Sequence, residues 1–66
     1  MSTKYFELLA QKVWEGNAST ISSVNHLGDR ERIALEATIL NQYGKSISLR
    51  GTPSQIQATL EAARRS

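Results

Sequence analysis

A chain of 66 residues with 8 Lys and Arg, 6 Asp and Glu, a net charge of +2 and no cysteine has no route to disulfides, zinc–thiolate centres, iron–sulfur clusters or thiol catalysis. A domain this short buries only about 60% of the surface its unfolded chain exposes, and such thin cores draw extra stability from a disulfide, a metal or a second subunit. His26 is the single histidine, so association is the remaining staple and a homodimer is expected.

From Thr3 to Glu15 the apolar residues Phe6, Leu9 and Val13 recur at helical spacing, with Tyr5, Leu8 and Trp14 widening the stripe. Gly16 stands where a left-handed residue closes a helix. Asn17 to Leu27 is rich in Ser, Thr and Asn, which compete for backbone hydrogen bonds; Ile21, Val24 and Leu27 favour a short helix there. The alternative is an extended stretch that pairs internally, for which Thr20, Ile21 and Val24 have suitable side chains. Gly28-Asp29 breaks the chain, with Asp29 placed to cap a helix running from Arg30 to about Tyr43. The expected inward face of that helix is Ile33, Ala37 and Leu40, flanked by Ile39 and Tyr43, and Gly44 ends it.

Lys45 to Arg50 changes period: Ile47 and Leu49 alternate with Ser46, Ser48 and Arg50, the two-residue repeat of a strand buried on one face. Thr52, Pro53 and Gln55 then fit N-cap, N1 and N3 of a closing helix with a capping box. Ile56, Leu60 and Ala63 point inward along it, and Arg64 and Arg65 sit in its last turn, where positive charge offsets the helix dipole. The expected fold is therefore α+β and mostly helical, in the order helix, short helix, helix, strand, helix, as a single domain over residues 1–66. A lone strand leaves its edges unpaired, so the expected remedy is an antiparallel ribbon formed with the same strand of a second copy, with Ile47, Ser48 and Leu49 at the two-fold axis. A strand from another protein could occupy the same edge.

No catalytic, cofactor-binding or metal-binding constellation stands out. The acids fall mostly at exposed helical positions, His26 has no acidic partner at meaningful spacing, and Asn17-Ala18-Ser19 reads as a chance glycosylation triplet. Gly44-Lys45-Ser46 echoes the end of a phosphate-binding loop, but Ile39 stands where its first glycine belongs. No run of about 18 apolar residues could span a bilayer, and the basic-then-apolar start of a secretory signal is missing, so the cytoplasm is the expected location.

The stretch Ile47-Ser48-Leu49-Arg50-Gly51-Thr52-Pro53-Ser54-Gln55-Ile56-Gln57-Ala58 resembles the closing strand and helix of KH RNA-binding domains. That likeness implies RNA held by a GxxG loop, a motif this sequence does not contain. The same stretch looks like the strand and first helix of ribbon-helix-helix repressors, which implies outward Ser46, Ser48 and Arg50 meeting DNA bases; that fold needs a further helix, and the sequence ends at Ser66. Neither resemblance names a family. A helix-turn-helix through Glu15-Gly16-Asn17 would place the polar, cation-free stretch Ser19 to Asn25 against phosphate, which does not suit it.

Together these features point to a non-enzymatic regulatory or adaptor protein that binds another macromolecule, preferentially a protein, as a homodimer, with no cofactor, metal or membrane. The alternative is a dimeric DNA- or RNA-binding regulator, in keeping with a pI near 9.4. Candidate contact residues are Trp14, Tyr43, Lys45, Arg50, Arg64 and Arg65, because aromatic and Arg side chains carry much of the energy of interfaces.

Overall fold

The computed structural model describes residues 3–66 and contains helices α1 (Thr3–Trp14), α2 (Ala18–Val24), α3 (Asp29–Tyr43) and α4 (Pro53–Arg65). The corner between α1 and α2 is built from two local motifs that share one residue. Gly16 takes φ +83° and donates its N–H to the Val13 carbonyl at 2.9 Å, while the N–H of Asn17 reaches the Lys12 carbonyl at 3.1 Å. This pair of bonds is a Schellman closure, which needs a residue able to sit in the left-handed region. The Asn17 side chain then accepts the N–H of Thr20 at 2.9 Å, capping α2. Asn17 thus ends one helix with its backbone and starts the next with its side chain, and the segment 17–27 is helical and turn-like, not extended.

α1 buries Phe6, Ala10 and Val13, leaves Leu9 and Trp14 half-buried, and exposes Tyr5 and Leu8. α3 departs further from its sequence reading. Its N-cap is Gly28, which makes no side-chain cap bond, and Asp29 is the first helical residue. Its buried residues are Leu35 and Ile39, with Ala34 and Tyr43 packed beside them. Ile33 and Leu40, expected inside, are 56% and 49% exposed, and Ala37 is exposed with them. The cause is that α3 carries apolar residues on two opposite faces, so periodicity within the helix cannot say which face meets the core.

The expected strand is absent: among the described residues there is no strand at all, and the fold is all-helical instead of α+β. Residues 45–50 nevertheless keep the alternation that suggested one, with Leu49 buried, Ile47 half-buried and Ser46, Ser48 and Arg50 exposed. In place of a second strand, side chains accept the N–H groups of Leu49 and Arg50 in this segment and of Thr52 just after it. The Leu49 N–H donates to Glu36 Oε2 at 2.8 Å, the Arg50 N–H to Ser48 Oγ at 3.3 Å and the Thr52 N–H to Gln55 Oε1 at 2.8 Å. A buried N–H demands an acceptor of any kind, not a β-ladder specifically. The ribbon through Ile47, Ser48 and Leu49 is thereby removed as a basis for pairing, and the partial resemblances to KH and ribbon-helix-helix proteins go with it, since both rested on the strand.

α4 starts as its sequence indicates. Thr52 Oγ1 accepts the Gln55 N–H at 3.2 Å, the Gln55 side chain returns to the Thr52 N–H, and Pro53 occupies the first turn. Ile56 and Leu60 are fully buried and Ala63 partly so. The core is one cluster: Phe6, Ala10, Val13, Ile21, Val24, Leu35, Ile39, Leu49, Ile56 and Leu60. Every helix contributes to it, and Leu49 inserts from the connecting segment.

Candidate functional site

The structure gives structural tasks to four of the six sequence-predicted contact residues, Trp14, Tyr43, Lys45 and Arg64. Trp14 and Tyr43 come together as a parallel stack, with ring centroids 4.7 Å apart and planes 10° from parallel. Each therefore covers one face of the other, and both are half-buried beside the core. Arg64 reaches across from α4 and donates to the Trp14 carbonyl, while Gln57 donates to the Gly16 carbonyl at 3.3 Å. Those carbonyls lie at the end of α1, where the partial negative charge of the helix favours a cation. Lys45 Nζ donates to the Ser66 carbonyl at 3.0 Å, closing the far end of α4 in the same manner. Arg65 pairs with Glu61 at 3.3 Å in an exposed bridge, and Arg50 is exposed on the connecting segment, away from the regular helices. Trp14, Tyr43, Lys45 and Arg64 thus tie helix ends together.

Glu36 was missed in the sequence, where it reads as one more exposed helical acid. Its Oε2 accepts both the Leu49 N–H at 2.8 Å and Arg32 Nη1 at 3.0 Å, and its side chain is only 21% exposed. Arg32 in turn reaches Asp29 Oδ1 at 3.3 Å. The partners at positions 36 and 49 are distant in sequence, so no local spacing signals the contact. The trio Asp29–Arg32–Glu36 orients an acceptor for a buried backbone donor, which is structural chemistry. Among the described residues no group of three or more His, Cys, Asp or Glu is placed to hold a metal ion, and His26 is exposed.

One surface feature that structural work does not consume is a groove between α1 and α2. It has a volume of about 290 Å³ and is lined by Tyr5, Leu8, Leu9, Lys12, Ser19, Thr20 and Ser23. Tyr5 and Leu8 stand at its edge, 59% and 55% exposed, and Leu9 forms its half-buried floor next to the core. The opposite wall is hydroxyl-bearing, because α2 turns Ile21 and Val24 inward and so presents Ser19, Thr20 and Ser23 to the groove. Lys12 is the single charge in the lining, and no carboxylate accompanies it. Tyr5 also meets Phe6 edge to face at 5.5 Å, which holds its ring near the groove mouth. The sequence signal for this site was present but pointed the other way, since Tyr5 and Leu8 extended the apolar stripe of α1 and were assigned to its core-facing side.

No helix among the described residues is long and apolar enough to cross a membrane. Comparison with protein-family models, with curated proteins and with solved structures finds no match to this chain.

Proposed function

We propose that this protein is a non-enzymatic binding module whose α1–α2 groove receives an acidic amphipathic peptide segment of a partner protein. The observation that carries this reading is the composition of the groove: exposed Tyr5 and Leu8 over a Leu9 floor, with Lys12 as its only charge. Large apolar side chains cost free energy where they stand in water, so covering Tyr5 and Leu8 with a partner's apolar side chains is favourable. A peptide helix supplies apolar anchors at one-turn spacing for such a groove. Its flanking carboxylates would meet Lys12, and the Ser19 and Thr20 hydroxyls can donate to the same groups, whereas the Ser23 hydroxyl donates to the Ser19 carbonyl.

The test uses two synthetic helical peptides with identical leucine stripes, one edged with glutamates and one with lysines. Fluorescence anisotropy should show several-fold tighter binding of the glutamate peptide. The amide resonances of Leu8, Lys12, Thr20 and Ser23 should shift on binding, and Lys12→Glu should reverse the peptide preference. Equal binding of both peptides, or shifts confined to other surfaces, would refute the reading.

Nucleic acid is the second reading, favoured by the gathering of Lys45, Arg64 and Arg65 around the C-terminal end of α4. The helix-end carbonyls already engaged by Lys45 and Arg64 compete with phosphate for those cations. Retention of a short DNA or RNA duplex that weakens steeply with added salt would favour this reading over the peptide.

A further inference from the structure

The outward face of α3 has no role in the core or in the groove. Ile33, Ala37, Leu40 and Gly44 follow one another at intervals of four, three and four residues, the seam spacing of paired helices. Ile33 and Leu40 are 56% and 49% exposed, while Leu35 and Ile39 on the opposite side are fully buried. Small residues at positions 37 and 44 let a second backbone approach closely, and large ones at 33 and 40 supply area.

We propose that α3 pairs antiparallel with α3 of a second copy of this chain, across a two-fold axis near Ala37. The apolar spacing fits a second copy in either direction, and the charges at the two ends of α3 select the antiparallel one. A two-fold axis between positions 36 and 37 sets Ile33 of each copy opposite Leu40 of the other. The same register sets Asp29, whose side chain is 91% exposed, opposite the Gly44–Lys45 end of the other α3. Arg30 falls beside the C-terminal carbonyls of that helix, where a cation is favoured. Glu36, the acid nearest the axis, faces inward to Leu49 and Arg32, so the two copies do not bring like charges together at the centre. A parallel arrangement would instead stack Asp29 on Asp29 and Lys45 on Lys45. A core of ten buried residues is also the setting in which a second subunit adds most. The occupant of this face is thus a second copy, and the surface is separate from the α1–α2 groove.

Multi-angle light scattering from about 10 to 500 µM, the range suited to a small interface, should show the mass rising from 7.3 kDa toward twice that value. Ile33→Glu should hold the mass at the monomer value with the helical circular dichroism signal unchanged, since the position is exposed. A native chain that stays monomeric across the range, or a dimer indifferent to Ile33→Glu, overturns the proposal. Should that variant lose its helical signal, oxidation of single-cysteine variants decides, because the native chain has no cysteine. Ala37→Cys should form an intermolecular disulfide. Asp29→Cys should not, because the two copies of that position lie roughly 22 Å apart along antiparallel helices rising 1.5 Å per residue. Cross-linking at position 29 in place of 37 would overturn the antiparallel register. Peptide binding by the Ile33→Glu monomer would leave the groove reading intact, so the two can fail independently.

Discussion

Removing the Glu36 carboxylate should cost this protein a large share of its stability although the residue touches no ligand and lies outside the hydrophobic core. Its Oε2 is the acceptor for the N–H of Leu49, a residue 2% exposed, and a hydrogen bond to a charged group contributes about 1.5–3 kcal/mol. The Arg32 side chain, 15% exposed, keeps its contact with Asp29, so loss of that second bond adds less than about 1 kcal/mol. Glu36→Ala should therefore destabilise by about 2–4 kcal/mol, and Glu36→Gln, which retains a neutral acceptor, by about 1 kcal/mol. Against a total of about 3–10 kcal/mol for a domain of this length, the alanine change should lower the thermal midpoint by roughly 15–30 °C. Urea unfolding followed by Trp14 fluorescence and helical circular dichroism measures the energy, and amide hydrogen exchange at Leu49 reports the bond itself. If both variants unfold within about 0.5 kcal/mol of the native chain and Leu49 stays protected, the account of why residues 45–50 need no second strand is wrong.

The other expectations concern single elements. Leu49→Ala should cost about 2–5 kcal/mol by opening a cavity in the core, whereas Ile47→Ala, at a half-buried position, should cost less than half as much; equal urea midpoints would refute the difference. Thr52→Ala removes the acceptor for the Gln55 N–H and should destabilise by about 1 kcal/mol, read as a shifted midpoint with unchanged slope. Gly44→Ala places a Cβ in open space within its own chain but at φ +69°, so its cost to the monomer of about 1–2 kcal/mol is conformational. Gly44→Asn should recover part of that loss in the same assay.

The sequence by itself determined the closures of α1 and α3 and the start of α4, because those signals are local, whereas the start of α3 falls one residue earlier than Asp29 as a cap implied, with Gly28 at the N-cap. Gly16 and Gly44 supply the left-handed closures that L-residues resist, and Thr52-Pro53-Ser54-Gln55 contains every group its capping box uses. It also determined the alternating burial of residues 45–50, since the chemistry of Ile47 and Leu49 drives them inward in any extended geometry. Tertiary structure alone decided what completes that segment and which surfaces stay open. The acceptor for Leu49 comes from Glu36, thirteen residues earlier, and the Asp29–Arg32–Glu36 trio looks like ordinary surface charge until the chain folds back on it. α3 offers two apolar faces, and only packing against α1 and the Leu49 segment selects Leu35 and Ile39 for the core and leaves Ile33 and Leu40 outside. Tyr5 and Leu8 became a groove edge for the same reason: a helix stripe wider than its neighbours can cover leaves its margin in water.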